Sequence, residues 1–166
     1  VAAGWSLGIL SLIQGKDVYG FDSFSGFPDG SLHDHKNFDP KKQWRFYEEF
    51  NEDFVTTNLI NMGVQEIEIN QRIFLKKGFF PESFKDFDLS VSFLHLDVDL
   101  YQSYVDCLQH FYPLITEDGV CVFDEYDNYN DLAKWPGAKR AIDEFSSENK
   151  IEIKKHWTGY SYFIKK

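Results

Sequence analysis

The stretch FLHLDVDLYQSY, residues 93–104, runs an apolar segment into two carboxylates, Asp97 and Asp99, one residue apart. With Val91 and Ser92 in front of it, the segment reads as a nearly continuous apolar strand, the pattern of a strand whose two faces are covered by helices in a parallel sheet. The residues that follow, YQSYVDCLQHFYPLI, set Tyr104, Val105, Leu108, Phe111, Tyr112 and Ile115 on one helical face and end near Pro113. Strand, acid and helix in that order make a βα unit. Ligands of open parallel sheets bind beyond the carboxyl ends of the strands, so an acid at that point faces the functional edge.

The same grammar recurs outward from this stretch. EDGVCVFDEY (117–126) is a turn and strand ending in Asp124 and Glu125, and DVYGFDSF (17–24) is a short strand ending at Asp22. AAGWSLGILSLI (2–13) reads as a small-residue turn entering a helix, and DFVTTNLINMG (53–63) as a helix stopped by Gly63. QRIFLKKG (71–78) is strand-like. WPGAKRAIDEFSSEN (135–149) starts a helix at Pro136 and turns Ala138, Ala141, Ile142 and Phe145 inward. IEIKKHWTGYSYFIKK (151–166) reads as a hairpin about Thr158 and Gly159. The order is helix, then β-α-β-β-α-β-α-β-β, which predicts a doubly wound α/β sheet closed by an antiparallel pair. Residues 24–51 are polar and aromatic, too long for an ordinary connection, and read as a lid or substrate loop within a single domain spanning 1–166.

Composition narrows the function. Seventeen Lys and Arg against 27 Asp and Glu give a formal net charge of -10, which repels phosphate backbones and anionic lipid. No nucleic acid and no membrane is expected as partner, and no apolar run approaches the roughly 20 residues of a bilayer span. Cys107 and Cys121 lie in apolar surroundings without CxxC spacing, so they read as buried, reduced thiols of a cytoplasmic protein.

Five carboxylates at strand ends, Asp22, Asp97, Asp99, Asp124 and Glu125, are expected to project toward one rim. A single such acid is read equally well as a helix N-cap. Two neighbouring strand ends, each carrying a pair, favour a shared divalent cation, and an all-oxygen donor set favours Mg²⁺ or another hard ion over zinc. His95 reads as a satisfied strand histidine, and DEYDNYND (124–131) lacks the glycine and the twelfth-position glutamate of a calcium loop.

Taken together, VYGFDSFSGFP, FLHLDVDLYQS, DGVCVFDEY, WPGAKRAIDEF and WTGYSYF closely resemble the macrocin O-methyltransferase (TylF-like) family, in the right order and over most of the chain. The resemblance implies a Rossmann-like class I methyltransferase dependent on S-adenosylmethionine and Mg²⁺, acting on a hydroxyl of a sugar or glycosylated small molecule. It also implies roles. Asp22 bonds the cofactor ribose, with Ser23 beside it; Gly78 and Phe79, after Lys77, flank the adenine end. Asp97, Asp124 and Glu125 are metal carboxylates, and Asp99 is the general base. Glu125 stands where the family usually has Asp. The glycine-bearing cofactor loop is represented by AAGWS, with Gly4 and Ser6 as its remnant and the first strand missing in front. Exposed sheet edges then predict weakened cofactor binding and self-association into a homo-oligomer. The competing readings are a hydrolase using the same carboxylates to activate water, and a non-catalytic methyltransferase-like module.

Overall fold

The computed structural model describes residues 1–13, 15–44, 50–127 and 133–166, in two compact units. The first unit comprises Val1–Pro28 with Asp39–Phe84, the second Asp29–Phe38 with Lys85–Lys166.

In the first unit, β1 (Val18–Asp22) and β2 (Ile73–Lys77) pair in parallel, in register from Val18 opposite Ile73 to Asp22 opposite Lys77. Helix α1 (Trp5–Ser11) starts after Gly4, whose φ of 85° lies in the left-handed region; a Cβ there would also sit 2.9 Å from the Val55 side chain. After the short α2 (Pro40–Trp44), α3 (Glu52–Asn61) is capped by the Asn51 side chain, which accepts the Phe54 N–H at 2.9 Å. Glu52 and Asp53 complement the helix dipole in its first turn. The helix stops at Gly63, φ 91°, as its sequence predicts. Leu7, Phe24, Val55, Leu59, Val64 and Ile73 form the core.

Helix α4 (Glu66–Arg72), like α2, has no counterpart in the sequence reading. None of its residues is fully buried: half-buried Ile69 packs on the core, and polar contacts supply the rest. Arg72 pairs with Glu68 one turn earlier at 3.5 Å and donates to the Ser11 carbonyl at 3.0 Å. An apolar stripe is the usual signature of a helix in a sequence, and this one has none to show.

The second unit holds a four-stranded sheet in the order β3-β4-β6-β5, built from β3 (Val91–Leu96), β4 (Ile115–Phe123), β5 (Lys154–Lys155) and β6 (Ser161–Ile164). The β3–β4 pair is parallel, and the β4–β6 and β5–β6 pairs are antiparallel. The predicted closing hairpin is therefore present, turning at Gly159 with φ 102°, although β5 uses only two residues of its run. Helices α5 (Tyr101–Phe111) and α6 (Pro136–Asn149) supply the apolar cover, with a 3₁₀ turn at Tyr112–Leu114 bringing the chain into β4.

Buried Leu96, Cys121, Phe123 and Phe163 mark the core side of this sheet. The Tyr104 ring packs against Phe123 with centroids 6.3 Å apart, and Phe123 against Phe163 at 5.9 Å. Cys107 and Cys121 are both free and buried, as expected, and burial pushes both thiols above their ordinary pKa. The expectation of cover on both faces is met less fully: Phe93 and Ile164 remain 41% and 37% exposed. An apolar run specifies that a strand is wanted by a core, not how many of its faces reach one. Among the described residues no helix is long and apolar enough to cross a membrane.

Candidate active site

The chain leaves β3 at Leu96, and the acids follow it. Asp97 and Asp99 therefore do not share a strand face by the two-residue alternation of a pleat. They converge because Asp99 takes a φ of 60°, a left-handed conformation that aspartate tolerates better than most residues. The Leu100 N–H closes this turn on the Val98 carbonyl at 2.6 Å before α5 begins. From β4, Glu125 reaches the same point: the Asp99 N–H donates to its Oε2 at 3.4 Å. Donor oxygens of Asp97, Asp99 and Glu125 all lie within 4.8 Å of one another.

Asp124 is not one of this trio. Its backbone N–H continues the ladder to the Leu96 carbonyl at 2.9 Å, and its carboxylate lies 3.9 Å from Nε2 of His95. His95, read from the sequence as a satisfied strand histidine, thus neighbours an acid of the predicted set. Residues 128–131 of the DEYDNYND string lie outside the described residues.

Charge concentrates where these oxygens meet. Glu125 is 3% exposed; burial and then the charges of Asp99 and Asp97 push its pKa strongly upward, and it shares a hydrogen bond with the Asp97 carboxyl. Asp99 is pushed up to about 7, first by burial and next by Asp97, with Lys134 partly opposing. Burial and mutual repulsion both favour the protonated forms of these groups, because protons offset the like charges. A hard divalent cation fits this set, because every donor is a carboxylate oxygen and positive charge would take over the protons' role.

Two residues that the sequence reading did not assign complete this region. Tyr104, fully buried on α5, places its hydroxyl 2.5 Å from Oε2 of Glu125 and 3.0 Å from the Leu96 carbonyl. A phenol has one proton to donate, and Oε2 of Glu125 is the closer of its two acceptors, so this bond works against the rise in the Glu125 pKa. Asp34, only 7% exposed, accepts the Tyr101 N–H at 2.9 Å through Oδ1, and the Ser31 N–H and hydroxyl at 2.7 Å each through Oδ2. It caps α5, whose own cap position, Leu100, supplies no side-chain bond. Gly137 is glycine because a Cβ there would collide with Asp34 and with Tyr101. His33 packs on the Tyr101 ring at 4.4 Å and Phe38 on Trp135 at 5.7 Å, so residues 29–38 of the long loop are built into the acidic unit. Residues 45–49 of that loop lie outside the described residues.

The first unit treats its strand-end acid in the opposite way. Asp22 Oδ1 accepts the Phe24 N–H at 2.9 Å, and Oδ2 accepts the Ala2 N–H at 3.0 Å. Burial raises its pKa, and these two backbone N–H groups act the other way by favouring the ionised form. The Gly78 N–H donates to the Asp22 carbonyl at 2.9 Å, and Gly78 has φ 142°, so the end of β2 lies directly beside this acid. The turn through Gly4, the end of β1 and Gly78 are thereby brought together. Ser23 spends its hydroxyl on the Gly26 carbonyl at 2.5 Å, holding the turn after β1. Ser6 is exposed in the first turn of α1, and Phe79 keeps 44% of its surface in water. Lys77 pairs with Glu52 at 3.1 Å.

Comparison with known proteins gives this arrangement a context. The family described as Macrocin-O-methyltransferase (TylF) matches residues 7–159. Among curated protein sequences none matches. The solved O-methyltransferase NovP superposes with a TM-score of 0.77 at 22% identity, over 99% of this chain and 69% of its own. The calicheamicin methyltransferase CalS11 gives 0.76 at 22% identity with the same coverage. Fibrillarin of Aeropyrum pernix, solved with natively bound S-adenosyl-L-methionine, gives 0.52 at 18% identity, over 98% of this chain and 62% of its own. At these identities the likeness is one of fold, and the fold is that of Rossmann-like methyltransferases.

Proposed function

The chain belongs to the macrocin-O-methyltransferase (TylF) family, and from that premise we propose that it methylates a hydroxyl of a sugar or similar polyol, using S-adenosylmethionine and a hard divalent cation such as Mg²⁺. The observation that carries the reading is the convergence of Asp97, Asp99 and Glu125 oxygens within 4.8 Å at the ends of two parallel strands.

S-Adenosylmethionine, when bound, supplies an electrophilic methyl group on a sulfonium. The Asp22 carboxylate, met by two backbone N–H donors that favour its ionised form, is suited to accept hydrogen bonds from a ribose diol. Gly78 holds the end of β2 beside this acid through its N–H bond to the Asp22 carbonyl, and Phe79 offers an exposed ring to the adenine. Gly4 holds the turn that brings the Ala2 N–H to Asp22, with Ser6 one turn further on. Ser23 serves this end by fixing the turn after β1.

A divalent cation, when bound, supplies Lewis-acid stabilisation to a developing alkoxide. Asp97 and Glu125 would hold it, with Asp124, beside His95, the third carboxylate available. Asp99 takes the acceptor hydroxyl's proton on a carboxylate oxygen as the hydroxyl oxygen bonds to the methyl carbon and the carbon–sulfur bond breaks. A base with a pKa near neutrality is matched to that task. Residues 29–38, fastened by Asp34, are the part of the long loop that we assign to the acceptor side.

Calorimetric titration with S-adenosylhomocysteine and with Mg²⁺, followed by methyl transfer from S-adenosylmethionine to a panel of glycosylated acceptors with and without chelator, tests this. Binding of both and chelator-sensitive transfer is the expected outcome. A folded chain that binds no S-adenosylhomocysteine sinks the methyltransferase mechanism; transfer indifferent to chelator removes the metal.

A further inference from the structure

Between β3, β4 and α5 lies a buried polar contact that the proposed chemistry does not use. The Tyr104 hydroxyl, with the whole residue excluded from solvent, lies between the carbonyl of Leu96, the last residue before Asp97, and Oε2 of Glu125. It therefore touches both acid-bearing segments at once. The rest of Tyr104 has little freedom to drift. Its backbone N–H is bonded to the Leu100 carbonyl at 3.0 Å, its ring packs on Phe123, and the first turn of its helix is capped by Asp34.

Glu125 depends on such a fixture more than a shorter acid would. It stands just beyond the end of β4, where ladder bonding no longer holds the chain, and a glutamate has one more rotatable bond than an aspartate. Two donors reach its Oε2: the Asp99 N–H at 3.4 Å and the much closer Tyr104 hydroxyl. We propose that Tyr104 is a positioning residue for the divalent cation, its hydroxyl fixing the Glu125 carboxylate and the end of β3 so that Glu125 and Asp97 face one point. The inference rests on the metal reading above and extends it to a residue that touches neither acceptor nor methyl donor.

The expected scale is that of an outer hydrogen bond to a metal ligand, a 10- to 100-fold loss of metal affinity. The experiment titrates the folded chain with Mn²⁺, read by the paramagnetic resonance of the unbound ion, and with Mg²⁺ by calorimetry. It compares the wild type, Tyr104→Phe, Tyr101→Phe and Asp97→Asn. Tyr101 is the control: its hydroxyl bonds Glu144 at 2.7 Å on the exposed side of the same helix. Tyr104→Phe should weaken metal binding about 10-fold or more, leaving S-adenosylhomocysteine affinity within about twofold, while Tyr101→Phe leaves both unchanged.

If the wild type binds no metal, the metal reading fails and this inference with it. If the wild type binds, Asp97→Asn does not, and Tyr104→Phe matches the wild type, the metal reading stands and the inference is overturned. Glu125→Asp provides a second route should Tyr104→Phe not fold, since it keeps the carboxylate but withdraws it from the hydroxyl. Weaker metal binding is then expected, and equal or tighter binding overturns the proposal. Where both variants fold, Tyr104→Phe should add little in the Glu125→Asp background; full additivity also overturns it.

Discussion

Asp22 and Asp99 are both aspartates at the ends of parallel strands, yet the two units place them in opposite fields. Asp22 faces two backbone N–H groups, which favour its ionised form. Asp99 faces Asp97, Asp124 and a buried Glu125, and its pKa rises to about 7. The difference lies in what the neighbouring backbone offers: donors turn inward after β1, whereas a second acid-bearing strand end comes alongside β3. A carboxylate supplied with donors is ready to accept hydrogen bonds from a diol. A carboxylate deprived of them gains basicity, which suits it to take a proton once a cation offsets its neighbours' charge.

The severest test of that contrast removes the proton acceptor from the second unit. Asp99→Asn keeps the shape of the turn, so turnover should fall by about two or more orders of magnitude while S-adenosylhomocysteine and Mg²⁺ affinities change little. Comparing kcat with the two titrations decides it. Near-normal turnover takes Asp99 off the reaction path.

Stability against pH reads the same contrast without any substrate. Asp99 and Glu125 have raised values in the folded state, so their contribution is full below the unfolded range, near 3.8 to 4.5, and is lost as pH rises through about 7 and beyond. Asp22 is met by N–H donors that favour its ionised form, so their contribution is present at neutral pH and is lost only in acid. Metal-free protein should therefore lose stability between pH 5 and 8, at up to roughly 1.4 kcal/mol per pH unit for one group, and Mg²⁺ at pH 8 should restore it. Denaturant midpoints that stay level across that range, with or without Mg²⁺, break the comparison.

The first unit has its own probe. Asp22→Ala should weaken S-adenosylhomocysteine binding about 10-fold, the worth of a charge-assisted hydrogen bond, and leave Mg²⁺ affinity as it was. Should calorimetry find the two affinities falling together, the cofactor and metal roles are not divided between Asp22 and the acidic cluster as assigned.

The smallest effect concerns a carboxylate of the second unit that resembles Asp22 in being met by donors. Asp34→Ala leaves the Tyr101 N–H without its partner and should cost about 1 kcal/mol, as the loss of a helix cap does. Hydrogen exchange should rise in the first turn of α5 and in residues 29–38. Unchanged exchange there would mean that this loop is held by the His33 and Phe38 ring contacts instead.

Much of this was written locally. The alternation of apolar strands with helical stripes fixed the element order and the antiparallel ending, because periodicity is a property of neighbours in sequence. The acids Asp22, Asp97, Asp99, Asp124 and Glu125 were legible for the same reason: each follows a strand, and strand ends face ligands in this architecture. Helix α4 was not legible, since half-buried Ile69 is too little to make an apolar stripe.

What tertiary structure alone decided is which acids meet. A left-handed residue at Asp99 and the reach of Glu125 bring three carboxylates together, while Asp124, adjacent to Glu125 in the chain, lies 3.9 Å from His95. The same holds for the contact of Asp34 with an amide 67 residues away and for the Tyr104 hydroxyl inside a helix face that reads simply as core. A sequence pattern reports which side of an element faces inward. The partner of a buried polar atom is set by the packing of elements far apart in the chain, where an unmet donor or acceptor carries a cost.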